Sequence, residues 1–265
     1  MELADVPYAR RDPTLAVLEN FHAIKHAVRF GAHLLGAWTA DPAELDALSA
    51  SLAPDVRIPA EIVDAVALKA VTPRGQVIAV ARRPRQADPA TLLTGTGTGP
   101  APLAGPGPAP RTAAAPLVLL ENPAHLGNLG AVIRVCAAAG AAGVLTTGRH
   151  DPWHADALRG SAGLHFAVPV HRVGLADVLA DRTGTARPLI ALDPEGDILD
   201  PAAISPGAIL AFGTERHGIS DTLLAAADRR IRLPMEPGVS SLNLATAVAA
   251  TLYALRLAGP AAQRA

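Results

Sequence analysis

The sequence predicts an α/β protein with a small N-terminal α/β sandwich and a larger C-terminal domain built on a mostly parallel sheet. Half of the 265 residues are hydrophobic, which is enough to form a buried core. Apolar strand-like runs alternate with helical patterns along the C-terminal part. A stretch rich in Gly and Pro, Thr94 to Ala115, interrupts the pattern. We expect domains over residues 1–90 and 116–265, joined by a linker over residues 91–115.

Composition excludes several classes of protein. The chain has 23 Lys and Arg against 24 Asp and Glu, a formal net charge of −1, which excludes a globally basic nucleic-acid binder but not a local basic patch. The single cysteine, Cys136, excludes an internal disulfide, fits a reducing compartment and is expected to be a small core residue. The first residues lack the apolar core of a signal peptide, and the longest apolar run is too short to span a bilayer. We therefore expect a cytoplasmic protein with no membrane contact.

In the N-terminal part, helical and strand patterns alternate. A helical spacing of apolar residues runs from Leu15 to Val28, and Asp41-Pro42 is typical of a helix start. The expected elements, in chain order, are a helix over 15–28, strands over 33–39 and 56–58 on either side of the helix from Asp41, a helix over 59–68 and a strand over 77–81.

Four arginines lie in and after the last of these strands. They are Arg74, Arg82, Arg83 and Arg85, and residues 65–87 contain no acidic side chain. This pattern is typical either of a solvated face or of a surface that contacts an RNA backbone.

In the C-terminal part, near-continuous apolar strands alternate with helices, which indicates a parallel sheet covered on both faces. The expected strands are 117–120, 143–147, 167–170, 189–192, 208–212 and 230–233, and the expected helices are 129–139, 153–158, 175–180, 220–227 and 241–257. Because ligands bind at the carboxyl ends of such strands, the loops there are the candidate site.

The loop after the first of these strands has Gly127, Asn128 and Gly130 before a helix, a turn that can approach phosphate. Its GNLG spacing does not match the dinucleotide-binding fingerprint. Arg134 is the only charged residue between Gly130 and Gly143, and an arginine on a buried helix is costly unless it has a partner or a function.

Two further loops carry polar side chains. Gly213, Glu215 and Ser220 follow one strand, with Ser220 placed to cap the next helix. Ser241 and Asn243 precede the last helix, which is apolar on nearly all sides and therefore buried in a core or an interface. These loops contain no nucleophile elbow typical of serine hydrolases and no metal-ligand spacing.

Together, the segments GNLGAVIRVCAAAG, FGTERHGIS and RLPMEPGVSSLNLATAVAATLYALR resemble the three motifs of the SpoU (TrmH-type) RNA 2′-O-ribose methyltransferases, in the family's order and spacing. The N-terminal part is similar to the RNA substrate-binding domain that many rRNA-modifying members carry. The resemblance implies the SPOUT fold, a parallel α/β domain with a deep trefoil knot. It also implies a homodimer that binds S-adenosylmethionine and needs no metal.

The resemblance also implies roles for individual residues. Asn128, Arg134, Glu215, Ser241 and Asn243 match the family's polar active-site positions. The expected cofactor-contact positions are Gly213, Leu233 and Leu242, with Leu192 and Met235 as wall residues. One departure from the family pattern is Val-Cys-Ala after Arg134, where members often have Thr-Ala-Asp.

The resemblance favours S-adenosylmethionine-dependent methylation of a ribose 2′-hydroxyl, with rRNA ahead of tRNA as substrate. A non-catalytic RNA-binding or ribosome-assembly factor of the same fold is an alternative, against which the intact polar positions argue. A nucleotide-dependent oxidoreductase is a third hypothesis, disfavoured by the GNLG spacing.

Overall fold

A computed structural model describes residues 1–73, 75–85, 88–94, 115–182, 185, 187–214 and 218–259. Ten strands and ten α-helices lie in these ranges. The strands are β1 Leu15–Glu19, β2 Leu34–Thr39, β3 Glu61–Ile62, β4 Val77–Arg82, β5 Leu117–Leu120, β6 Gly143–Thr146, β7 Val170–Arg172, β8 Leu189–Ile198, β9 Ile209–Phe212 and β10 Arg229–Arg232. The helices are α1 Val6–Ala9, α2 Phe21–Arg29, α3 Pro42–Leu52, α4 Ala65–Val71, α5 Pro89–Thr94, α6 Leu126–Ala139, α7 Ala155–Gly160, α8 Leu175–Arg182, α9 Asp221–Ala226 and α10 Leu244–Ala258. None of the described helices is both long and apolar enough to cross a bilayer.

The N-terminal sheet has the order β1-β4-β2-β3, and both of its faces are covered. Alternate residues of β1 point to opposite faces, as strand geometry requires: Leu18 packs with α2, and Val17 packs with α1 and α4. The central strand β4 alternates in the same way, with Ala79 on the α2 face and Ile78 on the other. The predicted small α/β sandwich is therefore confirmed.

The predicted helix over residues 15–28 is wrong in its first third. Residues Leu15–Glu19 form a strand that pairs antiparallel with β4. The helix begins after Asn20, which has a positive φ of 89° and caps it by accepting a hydrogen bond from Ala23 N at 3.0 Å. Leu15 and Leu18 fit both a helical and a strand period, and pairing with β4 decides between them.

The segment between α3 and α4 also differs from expectation. Residues 56–58 are not a strand, and Val56 is instead buried in the core beneath α2. The predicted helix over 59–68 begins only at Ala65, because the Asp64 carboxylate accepts hydrogen bonds from Val66 N and Ala67 N. Residues Glu61–Ile62 form a short edge strand beside β2.

The predicted parallel sheet of the C-terminal part is confirmed: it has six parallel strands. Their order, which the sequence does not predict, is β10-β8-β9-β5-β6-β7. Helices cover both faces. Val118 and Leu120 of β5 face α6 and α10, and Leu117 and Leu119 face α5, α8 and α9. Cys136 is fully buried in the first of these layers, as expected. The deep trefoil knot implied by the family resemblance stays a prediction.

Several boundaries differ from those predicted. The strand expected over 167–170 is β7, Val170–Arg172, and residues 167–169 precede it. Residues 91–94 belong to α5, not to the linker, because Leu92 and Leu93 are buried against Leu117 and Leu145 of the large sheet. The remainder of the predicted linker, residues 95–114, lies outside the described residues. The strand predicted to end at Leu192 continues to Ile198, with an irregular register between Ala191 and Asp197 where it pairs with β10.

A short segment of the C-terminal domain packs into the core of the N-terminal domain. Trp153 and Leu158 are buried among the side chains that line α2 and β4. Arg83 donates to both carboxylate oxygens of Asp151, at 3.3 and 2.8 Å, and its guanidinium lies over the Trp153 ring. Burial alone would raise the pKa of the Asp151 carboxyl, but the bonds from Arg83 and from Trp153 N–H hold that pKa below its usual value. The two domains therefore share apolar and polar contacts.

Candidate active site at the carboxyl edge of the large sheet

The candidate site begins where β5 ends. Glu121 directly follows this strand, and its carboxylate accepts hydrogen bonds from Ser220 N at 2.8 Å and from the Ser220 hydroxyl at 2.6 Å. Ser220 also caps α9, since its Oγ accepts from Leu223 N at 3.3 Å. The Glu121 carboxylate at the end of β5 thus holds Ser220 at the start of α9. Sequence reasoning missed Glu121, although it directly ends an apolar strand.

The loop after β9 closes tightly on itself. Thr214 and Gly218 exchange backbone hydrogen bonds of 2.9 and 3.1 Å, and Gly218 has a φ of 65°. A β-carbon at Gly213 would collide with the backbone of Gly218, so only glycine permits this approach. Glu215, predicted as an active-site residue, lies outside the described residues.

The first and third motif segments meet at a pair of asparagines. Asn128 lies in the first turn of α6, and its Oδ1 accepts a hydrogen bond from Asn243 Nδ2 at 3.2 Å. Asn243 is also the N-cap of α10, because its Oδ1 accepts from Ala245 N at 2.9 Å. The starts of α6 and α10 therefore bring together Asn128 and Asn243, two of the predicted site residues. Ser241, two residues before Asn243, is exposed.

Arg134 projects from α6 into solvent, whereas Ile133 beside it is fully buried. No ion pair to Arg134 occurs within the described ranges. Burial lowers the pKa of His22 on α2, and the charges of Lys25 and Arg134 lower it further. Arg134 thus lies close enough to α2 for its charge to act on the N-terminal domain.

The two glycines beside Asn128 have a different role from the one that the sequence suggests. Both lie within α6 and not in a phosphate-binding turn. A β-carbon at Gly130 would collide with the Ala157 carbonyl oxygen, and one at Gly160 of α7 would lie 2.7 Å from Gly127 O. Gly130 and Gly160 therefore permit close packing of α6 against α7, whereas a β-carbon at Gly127 would meet no atom within 4 Å.

The predicted cofactor positions follow neighbouring strands. Gly213 comes directly after β9 and Leu233 directly after β10, and Leu192 lies in β8 between these two strands. Because the strands are parallel, these positions share one edge of the sheet. Leu192, Leu233 and Met235 are half-buried, and Leu242 is 42% exposed.

An open depression of about 650 Å³ lies beside Asn128 at the start of α6. Its polar lining includes His125, His150, Asp156 and Arg159. The depression is large enough to admit a nucleotide-sized group next to the asparagine pair. Across the described part of the chain, no group of three or more His, Cys, Asp or Glu residues is placed to hold a metal ion.

The described members of the four arginines predicted to contact RNA differ in their surroundings. Arg82 and Arg85 are exposed. Arg83 is instead committed to Asp151 and to the Leu15 carbonyl oxygen, at 2.8 Å, so its guanidinium serves the contact between domains. Arg74 lies outside the described residues.

A protein-family model described as the SpoU rRNA Methylase family matches residues 115–253. The chain is 32% identical over 145 residues to a 23S rRNA (uridine(2479)-2′-O)-methyltransferase from Streptomyces viridochromogenes, an alignment covering 51% of this chain and 50% of that protein. It is 36% identical over 149 residues to a tRNA (cytidine(34)-2′-O)-methyltransferase from Burkholderia pseudomallei, covering 54% of this chain and 95% of that protein. The chain spans about half the length of the first curated relatives that it matches.

The whole chain resembles a solved structure. The SpoU methyltransferase AviRb from Streptomyces viridochromogenes superposes with a TM-score of 0.70 and 25% identity, covering 93% of this chain and 90% of that one. The likeness therefore extends beyond residues 115–253 to the N-terminal sandwich.

Proposed function

The chain belongs to the SpoU rRNA methylase family, and on this premise we propose that it transfers a methyl group from S-adenosylmethionine to a ribose 2′-hydroxyl of RNA. The observation that carries the proposal is the hydrogen bond between Asn128 and Asn243. This bond joins the first and third motif segments beside an open depression. Asn128 lies on the same helix as the exposed Arg134.

Leu192, Gly213, Leu233, Met235 and Leu242 would hold S-adenosylmethionine. Their fit rests on position and chemistry: half-buried and exposed apolar side chains follow adjacent strands next to a glycine that allows close backbone approach. When bound, S-adenosylmethionine supplies an electrophilic methyl group on a sulfonium sulfur.

Arg134 would act on the acceptor side. A guanidinium stays protonated to above about pH 12 and is therefore a poor base. It is well suited to bind the phosphate beside the target ribose and to stabilise the alkoxide that develops on the 2′-oxygen. Asn128, Ser241 and Asn243 would orient the ribose or Arg134, and Glu215 would pair a cation or fix the geometry at the dimer interface.

The substrate we favour is rRNA. The tRNA-modifying relative aligns over 95% of its own length with only 54% of this chain, so it offers no counterpart for the remainder. The alignment with the rRNA-modifying relative also covers about half of this chain, but it covers only 50% of that protein, so that relative has a further part where the tRNA-modifying one has almost none. An added RNA-contacting domain suits a large folded substrate, and we keep tRNA as the alternative. Arg82 and Arg85, with Arg74, remain the proposed RNA contacts.

A homodimer in the cytoplasm is the assembly we propose. Leu244, Val248 and Leu252 of α10 are buried against α6, whereas Tyr253 and Leu257 are 40% and 65% exposed. A second copy would cover these apolar side chains. Sedimentation at micromolar concentration tests this: a dimer is expected, and a monomer would contradict it.

The reaction is tested by incubating the protein with methyl-labelled S-adenosylmethionine and undermethylated total RNA, followed by alkaline hydrolysis. A 2′-O-methyl group removes the nucleophile that alkali requires, so we expect labelled dinucleotides to survive. Label found only in mononucleotides would mean methylation of a base and would overturn the proposal. Absence of label from both free RNA and assembled ribosomal particles would favour the non-catalytic alternative.

A further inference from the structure

The depression beside Asn128 is lined by three segments of the C-terminal domain. The loops after the neighbouring parallel strands β5 and β6 contribute His125 and His150, and α7 contributes Arg159. Because the carboxyl ends of parallel strands meet at one edge of the sheet, the two loops open into the same cavity. The depression is therefore a product of the fold and not of one loop.

The two histidines that line the depression have no structural partner. Within the described ranges, neither imidazole makes a hydrogen bond or an ion pair. His125 is the residue before α6, yet its side chain does not cap that helix. In contrast, the His154 ring accepts a hydrogen bond at the start of α7, and the buried His165 ring bonds to a backbone carbonyl oxygen. The rings of His125 and His150 can therefore contact a ligand without breaking a bond of the fold.

Arg159 lines the same depression with only part of its guanidinium engaged. Its Nη2 donates to Glu19 of β1 at 3.0 Å and lies 3.0 Å from a carboxylate oxygen of Asp156. In the part of the chain that the structure describes, its Nε and Nη1 make no hydrogen bond, and 40% of the side chain is exposed. Arg10 also donates to Glu19, at 2.6 Å, so Glu19 keeps a cationic partner if Arg159 turns towards a ligand. Arg159 therefore has donors left for a further anion.

We propose that the depression binds the RNA nucleotide that adjoins the target ribose, with Arg159 on its phosphate and the His125 and His150 rings against its base. This inference rests on the proposed function and extends it by assigning a second nucleotide position. A phosphate oxygen accepts charge-assisted hydrogen bonds from a guanidinium. Unpaired RNA bases are commonly recognised by stacking on aromatic rings, including that of histidine. The volume of about 650 Å³ is sufficient for one nucleotide.

A nucleotide held in the depression would help to place the ribose beside it. Asn128 lines the depression and belongs to the asparagine pair that is proposed to orient the ribose or Arg134. Because the RNA chain is continuous, fixing one nucleotide restricts where the 2′-hydroxyl of its neighbour can lie, and such orientation lowers the barrier to reaction. Arg159 also contacts Glu19, so this nucleotide would lie where the two domains meet.

The test of the phosphate contact compares Arg159→Gln with Arg10→Gln. Both arginines bind the Glu19 carboxylate and both variants lose one positive charge, but of the two only Arg159 lines the depression. Binding to undermethylated rRNA is measured over a range of salt concentrations. We expect the slope of log affinity against log salt to become shallower by about 0.7 to 0.9 in Arg159→Gln, the value for one lost phosphate contact, and to stay unchanged in Arg10→Gln.

The variant Glu19→Gln separates phosphate binding from the ion pair between the domains. It weakens the contact of both arginines with β1 but leaves Arg159 at the depression, so RNA affinity and the salt slope should match those of the wild type. If Arg159 acted only by joining α7 to β1, Glu19→Gln would reproduce the effect of Arg159→Gln, and the inference would be wrong. Arg159→Lys keeps a cation and should restore the salt slope.

The base contact is tested by combining His125→Ala with His150→Ala. Loss of both rings should lower RNA affinity by about fivefold or more. The temperature of thermal unfolding should stay at the wild-type value, because neither ring bonds to the fold. Unchanged RNA affinity in this double variant would overturn the inference, and so would a wild-type salt slope in Arg159→Gln.

Methylation by the wild type is scored separately in the labelling assay. Labelled dinucleotides from the wild type, together with a wild-type salt slope in Arg159→Gln, would sink only this inference. Absent methylation, together with the expected change of slope, would sink only the proposed reaction.

Discussion

Glu121 and Ser220, 99 residues apart in the sequence, are joined by two hydrogen bonds to one nearly buried carboxylate. The bonds connect the end of β5 with the start of α9 and therefore hold Ser220, where the segment that begins at Gly213 enters α9. A buried carboxylate that satisfies two donors positions the proposed cofactor loop without needing to touch the cofactor.

Replacing Glu121 should weaken cofactor binding. In Glu121→Leu, the N–H and hydroxyl of Ser220 lose their acceptor, which costs about 1–3 kcal/mol for each buried donor left without one. We expect S-adenosylmethionine affinity, measured by calorimetry, to fall by at least tenfold. Glu121→Gln retains one carbonyl acceptor and should recover part of the loss. Equal affinities for Glu121→Leu and the wild type would show that the loop is positioned by other contacts.

Arg134→Ala should abolish methylation and leave cofactor binding largely intact. Arg134 is exposed on α6, while the proposed cofactor residues lie in β8 or follow β9 and β10. The labelling assay and calorimetry with S-adenosylmethionine measure the two properties separately. Equal loss of methylation and of S-adenosylmethionine binding in Arg134→Ala would show that Arg134 acts on the cofactor and not on the acceptor ribose.

Of the two glycines at the start of α6, only Gly130 should destabilise the fold when it is replaced by alanine. Gly130→Ala places a β-carbon against the Ala157 carbonyl oxygen and should destabilise the fold by about 1–3 kcal/mol. Gly127→Ala meets no atom within 4 Å and should be neutral or stabilising by up to ~1 kcal/mol. Urea unfolding measures both, and the same sign for the two variants would contradict the packing described between α6 and α7.

Acid should destabilise the protein through His165. This ring is buried against Trp153, with Nε2 2.7 Å from the Pro152 carbonyl oxygen, and burial lowers its pKa from 6.5 to about 4. Because the folded pKa lies below the unfolded one, unfolding takes up a proton between these two values. The free energy of unfolding should therefore fall as pH decreases from 6.5 towards about 4.

The variant His165→Gln provides the control for this pH dependence. It should flatten the fall in the free energy of unfolding without removing it, since burial also lowers the pKa of His26 and His171. Urea titrations at pH values from about 7 down to about 4 measure the effect. An identical pH dependence in the variant and the wild type would exclude His165 as a source.

The sequence predicted the large sheet well and the small domain less well, for a physical reason. Strands such as Leu117–Leu120 are apolar throughout, because helices cover both faces of a parallel sheet. Leu15 and Leu18, in contrast, fit two periods, and their partners on β4, Arg82 and Ala79, lie 67 and 61 residues further on. The ion pair between Arg83 and Asp151 could not be predicted from the sequence either, because Asp151 is 68 residues away in the other domain.

The candidate site was also predictable only in part, because contacts between residues distant in the sequence are not visible before folding. Asn128 and Asn243 could be selected from motif resemblance, and the structure places them in contact. Glu121 has no motif around it, and its importance depends on what it faces after folding. The role of Gly130 also depends on folding, because α7, against which it packs, is separate from α6 in the sequence.

Trp153 belongs to the C-terminal domain but lies in the core of the N-terminal one, 5.6 Å from the Arg83 guanidinium. The other tryptophan, Trp38, packs on the opposite face of the small sheet. Indole emission responds to the polarity of its surroundings and to nearby charge. In Trp38→Phe, Trp153 is the remaining tryptophan, and its fluorescence reports on the contact between the two sheets' domains. It shows whether RNA binding changes that contact and at what stage of unfolding the contact is lost.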